Sequence, residues 1–455
     1  MHHENMPREY MYREYMCRDL ILLSLCLASP AVADGFDRAL LPDPITDADY
    51  VTMNPAEAEL GQLLFFDPIL SGNDNISCST CHHPRLGTSD GLSLGMGEGG
   101  VGLAPTRVAN PDNMPEDRIP RNAPVLYNLG AREYAVMFHD GRVEMTGDEL
   151  RVPIEDDFFA RVSGVLATQA AFPVLSPDEM GGQVSENPLS KAIRQGRFSG
   201  DGGAWDMIAA KVAAIPDYQS RFEQVYPEIA FGRRVHFADI SNAIAAFMAF
   251  EYRSDDSAFD RYLRGDDAAL SEAAQKGMSL FYGEAGCATC HSGKFQTDHE
   301  FHAMGQPQLG PGKTLDFERG NRDEGRYRVT GKAEDLYAFR TPALRNITLS
   351  APYGHAGAYS DLRSFVVAHL APADSLAHYE TFHATLPEVP GLEEDWSVMN
   401  SAEDRAAILA AIEVEDRILP SADIDALMAF LAALEDDPHR LGIPDSVPSG
   451  LAFAK

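Results

Sequence analysis

Cys78-Ser79-Thr80-Cys81-His82 and Cys287-Ala288-Thr289-Cys290-His291 decide how this chain is read. In a C-x-x-C-H run two thiols can bond the vinyl groups of a haem while the adjacent imidazole takes an axial position on its iron, so each run reads as the attachment of one c-type haem. With 6 Cys and 14 His in 455 residues, chance supplies such a run only about 0.002 times per chain of this composition. Paired C-x-x-C units also build four-thiolate zinc sites, but those pairs lie close in sequence, whereas here one ends at Cys81 and the next begins at Cys287. A thioredoxin-like dithiol explains one C-x-x-C and not the histidine after both. The expectation is two covalently bound haem c groups, held by Cys78, Cys81, Cys287 and Cys290, with His82 and His291 on the two irons.

The rest of the composition frames that reading. A 455-residue chain with 45% hydrophobic residues is globular and long enough for two or three domains. The apolar run Leu20 to Ala28, followed by Ala31-Val32-Ala33, reads as a signal peptide cleaved near Ala33 and predicts export to the periplasm. Its upstream stretch mixes Arg8, Arg13 and Arg18 with Glu4, Glu9, Glu14 and Asp19. The apolar run is too short to span a bilayer, which takes about 20 apolar residues, and Leu25 before Cys26 argues against lipid attachment. Cys17 and Cys26 leave with the leader, and the other four cysteines are committed to the two motifs, so no structural disulfide is expected. A formal charge of −32 disfavours nucleic acid and anionic membranes. It suits a basic protein partner, or simply a soluble surface.

An internal repeat places the motifs on structure. Gly61-Gln62-Leu63-Leu64-Phe65-Phe66 precedes the first and Gly277-Met278-Ser279-Leu280-Phe281-Tyr282 the second, each as the end of a helix. Asn54-Pro55 and Ser271-Glu272 give the helix starts. Trp205 to Val225, broken at Ile215-Pro216, and Phe237 to Tyr252 carry apolar residues at helical spacing, as does Asp423 to Leu434, and few runs alternate as strands do. The expected fold is mainly α: residues 1–33 as leader, then two tandem class I cytochrome c-like domains, 34–253 and 254–455, each with one haem. Segments 92–124 and 304–336 are expected as long ordered loops.

Phe339-Arg-Thr-Pro-Ala-Leu-Arg-Asn-Ile347 and Ala351-Pro-Tyr-Gly-His-Ala-Gly357, together with matches at Gly61–Asp67, Ile76–Asp90, Phe138–Arg142 and Gln169–Met180, carry a resemblance. The chain resembles the bacterial dihaem cytochrome c peroxidases and their MauG-like relatives. That resemblance implies hydrogen peroxide as substrate at the N-terminal haem, and electrons delivered to the C-terminal haem by a small protein such as a cytochrome c or cupredoxin. It implies Gln169 and Glu179 as the distal pair of the peroxide pocket. A carboxyl group there would move a proton between the peroxide oxygens, which speeds O–O cleavage. The competing role is local, because Ser176-Pro-Asp-Glu179 also spells a capping box. The resemblance further implies a distal ligand of the second haem at His369, in Phe365-Val-Val-Ala-His-Leu370, although a lone histidine on an apolar helix is also an ordinary packed residue. Imidazole there favours ferric iron and lowers the potential relative to a thioether.

Three departures from the family pattern follow. Met96, in Leu94-Gly-Met-Gly97, stands where peroxidases needing reductive activation carry a distal histidine; the favoured expectation is an open first site with Met96 exposed on its loop, the alternative a Met96 ligand. His139 stands where the family has an inter-haem Trp, and imidazole is much harder to oxidise than indole. Residues 144–167 and about 373–418 are insertions of unknown role. Calcium is a family feature, and its side-chain ligand maps onto Asn122, with backbone carbonyls near Thr341; an ordinary loop asparagine is the alternative. For His83, His299, His302 and His355 a structural hydrogen bond is the favoured role, ahead of a contact at a haem edge.

Three functions are therefore open: a peroxidase reducing hydrogen peroxide to water, a MauG-like oxidase acting on a protein or organic substrate, and a non-catalytic carrier in which Met96 and His369 close both irons.

Overall fold

Local chemistry starts the two helices that lead into the motifs. The Asn54 side chain accepts from the Ala56 N–H at 3.1 Å and Pro55 fills the first helical position, where no N–H is needed. The Ser271 hydroxyl accepts from the Ala274 N–H at 3.2 Å. The structure, a computed structural model, describes residues 36–103, 105–154, 156–313, 322–437 and 439–455. The expected leader and its cleavage position lie outside these residues, as do residues 314–321 of the second long loop.

Six helices organise the sites: α1 (Pro55–Phe66), α2 (Val165–Ala170), α3 (Phe237–Glu251), α4 (Glu272–Phe281), α5 (Leu362–Leu370) and α6 (Ser421–Ala432). The Trp205–Val225 stretch folds as two helices, Ala204–Ala213 and Pro216–Val225, broken where Pro216 starts the second. Strands are short and antiparallel; the largest sheet pairs Val136–Met137 with Val143–Thr146 and that with Glu149–Arg151. Part of the 144–167 segment is thus the outer hairpin of this sheet.

The repeat in the sequence is a repeat in packing. α1 crosses α3 and α4 crosses α6, each at a glycine. A Cβ on Gly61 would lie 1.8 Å from the Ala243 carbonyl oxygen and 2.9 Å from the Phe247 Cβ; on Gly277 it would lie 1.9 Å from the Ala426 oxygen and 2.9 Å from the Phe430 Cβ. Glycine is required in both because the backbones touch. The flanking rings repeat as well, with Phe65 and Phe247 centroids 5.1 Å apart and Phe281 and Phe430 also 5.1 Å apart.

Asp37–Lys455 forms one compact unit. The stretch Arg253–Asp256 links α3 to the next helix, Ala258–Leu263, which Ser257 caps. The C-terminal tail returns to the first half: Val447 joins its main apolar core, Phe453 packs on Phe66 at 5.8 Å, and the Ser449 hydroxyl donates to Asp67 at 2.6 Å. Among the described residues no helix is long and apolar enough to cross a membrane.

Candidate active site

Cys78–Cys81 forms a single helical turn that ends at His82. His82 Nδ1 lies 3.0 Å from the Thr88 carbonyl oxygen. A carbonyl can only accept, so Nδ1 carries the proton and Nε2 keeps its lone pair for a metal. The second motif repeats the device, with His291 Nδ1 3.0 Å from the Gln296 carbonyl. Both residues whose carbonyls accept these bonds, Thr88 (φ 61°) and Gln296 (φ 53°), adopt the left-handed backbone region that non-glycine residues seldom occupy. Burial holds both imidazoles below their ordinary pKa, that is, neutral. The sequence reading missed Thr88 and Gln296, because nothing in residue type announces a positive φ at Thr or Gln.

A cavity with about 150 Å³ of space for water-sized molecules opens beside the first motif. Its walls bring Cys78, Cys81 and His82 together with Gln169 and Glu179. The Gln169 side-chain oxygen, projecting from α2, is buried without a hydrogen-bond partner. None of the four motif cysteines is in a disulfide, and burial pushes the Cys78 and Cys81 thiols up to about 12. Two protonated thiols, an imidazole lone pair and an orphaned amide oxygen around one cavity are a donor set that fits a covalently held haem. The four cysteines do not gather into one site: among the described residues the one grouping of metal-type side chains is Cys290, Asp298 and His302. That removes the four-thiolate zinc alternative.

Glu179 sits in a one-turn π-helix, Pro177–Gly181, a rare geometry often found at functional sites. The Ser176 side chain makes no capping bond to the turn, so the capping-box role does not occupy Glu179. Burial raises the Glu179 carboxyl above its ordinary value, against the opposing charges of Lys313 and Arg142 and a hydrogen bond from Ser176. Asp90, which the sequence reading passed over, also lines the cavity. Its Oδ2 is buried without a partner, and burial raises its pKa to about 7; only position in a cavity, not residue pattern, reveals it.

Met96 is not on this wall. The expectation of an exposed loop side chain is corrected: Met96 is fully buried, packed with Leu92 and Val389. At the second motif, His369 lies near the end of α5, where burial, with a smaller contribution from His291, lowers its pKa to about 4. Its Nδ1 lies 3.3 Å from the Phe365 carbonyl, which leaves Nε2 unengaged by that contact.

Between the motifs lies a buried polar layer. Arg121 pairs with Asp140 and Asp323, each at 2.7 Å. His139 donates from Nε2 to the Asn122 carbonyl at 3.0 Å and lines the first cavity, its pKa lowered to about 4 chiefly by burial. Asn122 donates its amide to the Pro352 carbonyl at 2.6 Å, and its side-chain oxygen is buried without a partner. The Thr341 carbonyl already accepts from the Thr297 hydroxyl at 2.7 Å. The expected calcium set thus offers one unengaged side-chain oxygen, few of the six to eight oxygens such a cation takes. His83, His299 and His302 make structural hydrogen bonds, to the Arg85 N–H at 3.2 Å, to Glu133 at 3.0 Å and to Asp298 at 3.0 Å. His355 does not: its ring stacks on Phe339 at 3.8 Å and neither ring nitrogen has a hydrogen-bond partner.

The family described as di-haem cytochrome c peroxidase matches residues 55–268. The chain is 30% identical over 314 residues to methylamine utilization protein MauG of Methylorubrum extorquens, covering 69% of this chain and 68% of that one. It is 30% identical over 327 residues to cytochrome c551 peroxidase of Nitrosomonas europaea, covering 71% and 76%. Its fold is similar to that of the crystal structure of the diheme peroxidase BthA from Burkholderia thailandensis E264, with a TM-score of 0.57 at 20% identity over 91% of this chain and 94% of that one.

Proposed function

The chain belongs to the di-haem cytochrome c peroxidase family and is an oxidoreductase of that family, and from that premise we propose that it reduces hydrogen peroxide to water with electrons from a small donor protein. One observation carries the proposal: a single cavity joins an attachment motif and its lone-pair imidazole to the Glu179 carboxyl and to an amide oxygen of Gln169 without a partner.

Cys78, Cys81 and His82 would hold one haem c, and Cys287, Cys290, His291 and His369 the other, as two tandem cytochrome c-like units. Haem bound at the first site supplies the redox-active iron on which peroxide is reduced. The chain supplies the rest. Thr88 fixes the His82 tautomer through its carbonyl. Gln169 orients peroxide with its amide, and the Glu179 carboxylate takes the proton of one peroxide oxygen and returns it to the leaving one, so that water rather than hydroxide departs. The apolar cavity wall keeps bulk water from competing for that proton. His291 and His369 mark where electrons arrive. With Met96 packed elsewhere, peroxide has access to the first site. Asn122 would serve calcium only with oxygens beyond those now unengaged. A leader ending near Ala33 would send the protein to the periplasm, and a basic donor would suit its acidic surface.

A second reading is favoured by His369. His291 and His369 would offer two imidazoles to a haem held there, which favours its oxidised state and suits a MauG-like oxidase that stores oxidising equivalents and uses them on an organic or protein substrate.

The test is direct. A pyridine haemochrome assay gives two c-type haems per chain, and the resting ferric spectrum shows one high-spin and one low-spin haem. Steady peroxide consumption with a reduced donor protein supports the peroxidase; two low-spin haems without peroxide turnover would leave the carrier.

A further inference from the structure

The 373–418 insertion folds back on the chain, and many of its contacts converge on one short loop. Val389 is buried against Leu92 and Met96. The Ser93 N–H donates to the Thr385 carbonyl at 2.9 Å, the Thr385 N–H donates to the Ser93 hydroxyl oxygen at 2.8 Å, and that hydroxyl donates to the Gly357 carbonyl at 2.6 Å. Asp395 accepts from Arg118 Nε at 2.8 and 2.9 Å, and Arg118, fully buried, also donates to the Pro387 carbonyl at 2.6 Å. The next residue, Ile119, donates its N–H to the Gly95 carbonyl at 3.1 Å. Residues 92–97 are thus held at three places.

The other face of that loop carries the catalytic turn. Gly97 lies so close beneath it that a Cβ would meet the Asp178 carbonyl oxygen at 2.2 Å and the Glu179 carbonyl oxygen at 2.4 Å. The Glu98 N–H donates to the Asp178 carbonyl at 3.0 Å. Arg107 stiffens the loop from within, donating to the Met96 carbonyl at 2.5 Å and the Gly97 carbonyl at 2.8 Å. A continuous path of packed backbone therefore runs from the insertion to Glu179.

We propose that residues 385–395 are a strap that positions Glu179 through the Leu92–Gly97 loop and keeps the Met96 side chain out of the first cavity. Thr385, Val389 and Asp395 are positioning residues. The proposal rests on the reading of Glu179 as the proton carrier of a peroxide site, and it gives the insertion its role: packing and hydrogen bonds keep the first site open, so that no side-chain ligand has to leave it.

The experiment compares the haem-loaded parent with Val389→Ala/Asp395→Asn, and with Met96→Leu in that background. Loosening the strap lowers kcat for peroxide by about tenfold or more with KM little changed, since small misplacements of a proton carrier are costly. It also converts part of the high-spin signal of the first haem to low-spin, and Met96→Leu restores it. An unchanged spectrum with kcat within about twofold of the parent overturns the strap and leaves the peroxidase reading intact. Should the double variant fail to assemble, Ser93→Ala releases the Thr385 contact and is read by the same two outcomes. A parent that is low-spin at both irons and becomes high-spin on Met96→Leu also overturns the strap. A parent inert to peroxide whose strap variant still changes spin state overturns the peroxidase reading and supports the strap.

Discussion

Glu179 is useful because burial and charge pull it in opposite directions. Desolvation raises its carboxyl, while Lys313, Arg142 and Ser176 pull it back, so it takes up a proton at a higher pH than a free glutamate does. The carboxylate form must take the first proton, and a raised pKa means this form is lost earlier as pH falls. The acid limb of kcat should therefore lie above the ordinary carboxylate range. Glu179→Gln should remove that limb and slow turnover by about 10² or more; a limb that survives the substitution would pass the role to another acid, with Asp90 first in line. Asp90 can be separated by stability. Its pKa rises from 3.8 to about 7 in the fold, so the folded state binds the proton more tightly than the unfolded one. Its contribution is fully present below the unfolded value and is lost as pH rises through the folded value. Asp90→Asn mimics the protonated acid, so its stability advantage over the parent should widen between about pH 5 and about pH 8. Urea midpoints at the two pH values measure it, and a constant gap would mean that the charged form is compensated in the cavity.

The two helix crossings make the element scale testable, because the same glycine contact occurs twice. Gly61→Ala and Gly277→Ala each force a methyl group into a helix backbone less than 2 Å away, at 1.8 and 1.9 Å. Each should cost about 1–3 kcal/mol or more as overpacking. The damage should be local, with Gly61→Ala broadening the spectrum of the first haem and Gly277→Ala that of the second; equal disturbance of both sites by either variant would show that the halves do not pack as separate repeats. The repeat was legible in the sequence as the paired Gly-x-x-x-Phe-Phe and Gly-x-x-x-Phe-Tyr helix endings, though not the crossing it makes, and the helix starts at Asn54 and Ser271 were legible from capping chemistry. Gln169 and Glu179 were legible only through resemblance, since an isolated Gln and an acidic first turn have many uses. Met96 was misread because a glycine-flanked loop gives no hint that a segment some 290 residues later covers it. Thr88, Gln296 and Asp90 left no trace, because backbone sign and cavity position are products of tertiary packing.

At the scale of the whole molecule the two halves are interlocked rather than strung in series. The tail beyond Arg440 returns to the first half, where Gln62 donates to the Leu441 and Gly442 carbonyls at 3.0 and 2.8 Å and Glu251 accepts from the Gly442 N–H at 2.9 Å. The insertion crosses the other way. The chain carries a formal charge of −32, and such a field acts on a donor protein before any contact forms. A basic donor should be steered toward the protein at low salt. Raising ionic strength from about 0.01 M to about 0.15 M shortens the screening length from about 30 Å to about 8 Å, so kcat/KM for a basic donor should fall while peroxide saturation, which involves a neutral substrate, stays unchanged. Measuring both under the same salt series isolates the donor step. A donor rate that rises with salt would mean that the natural reductant is itself acidic and that local patches, not the net field, guide it.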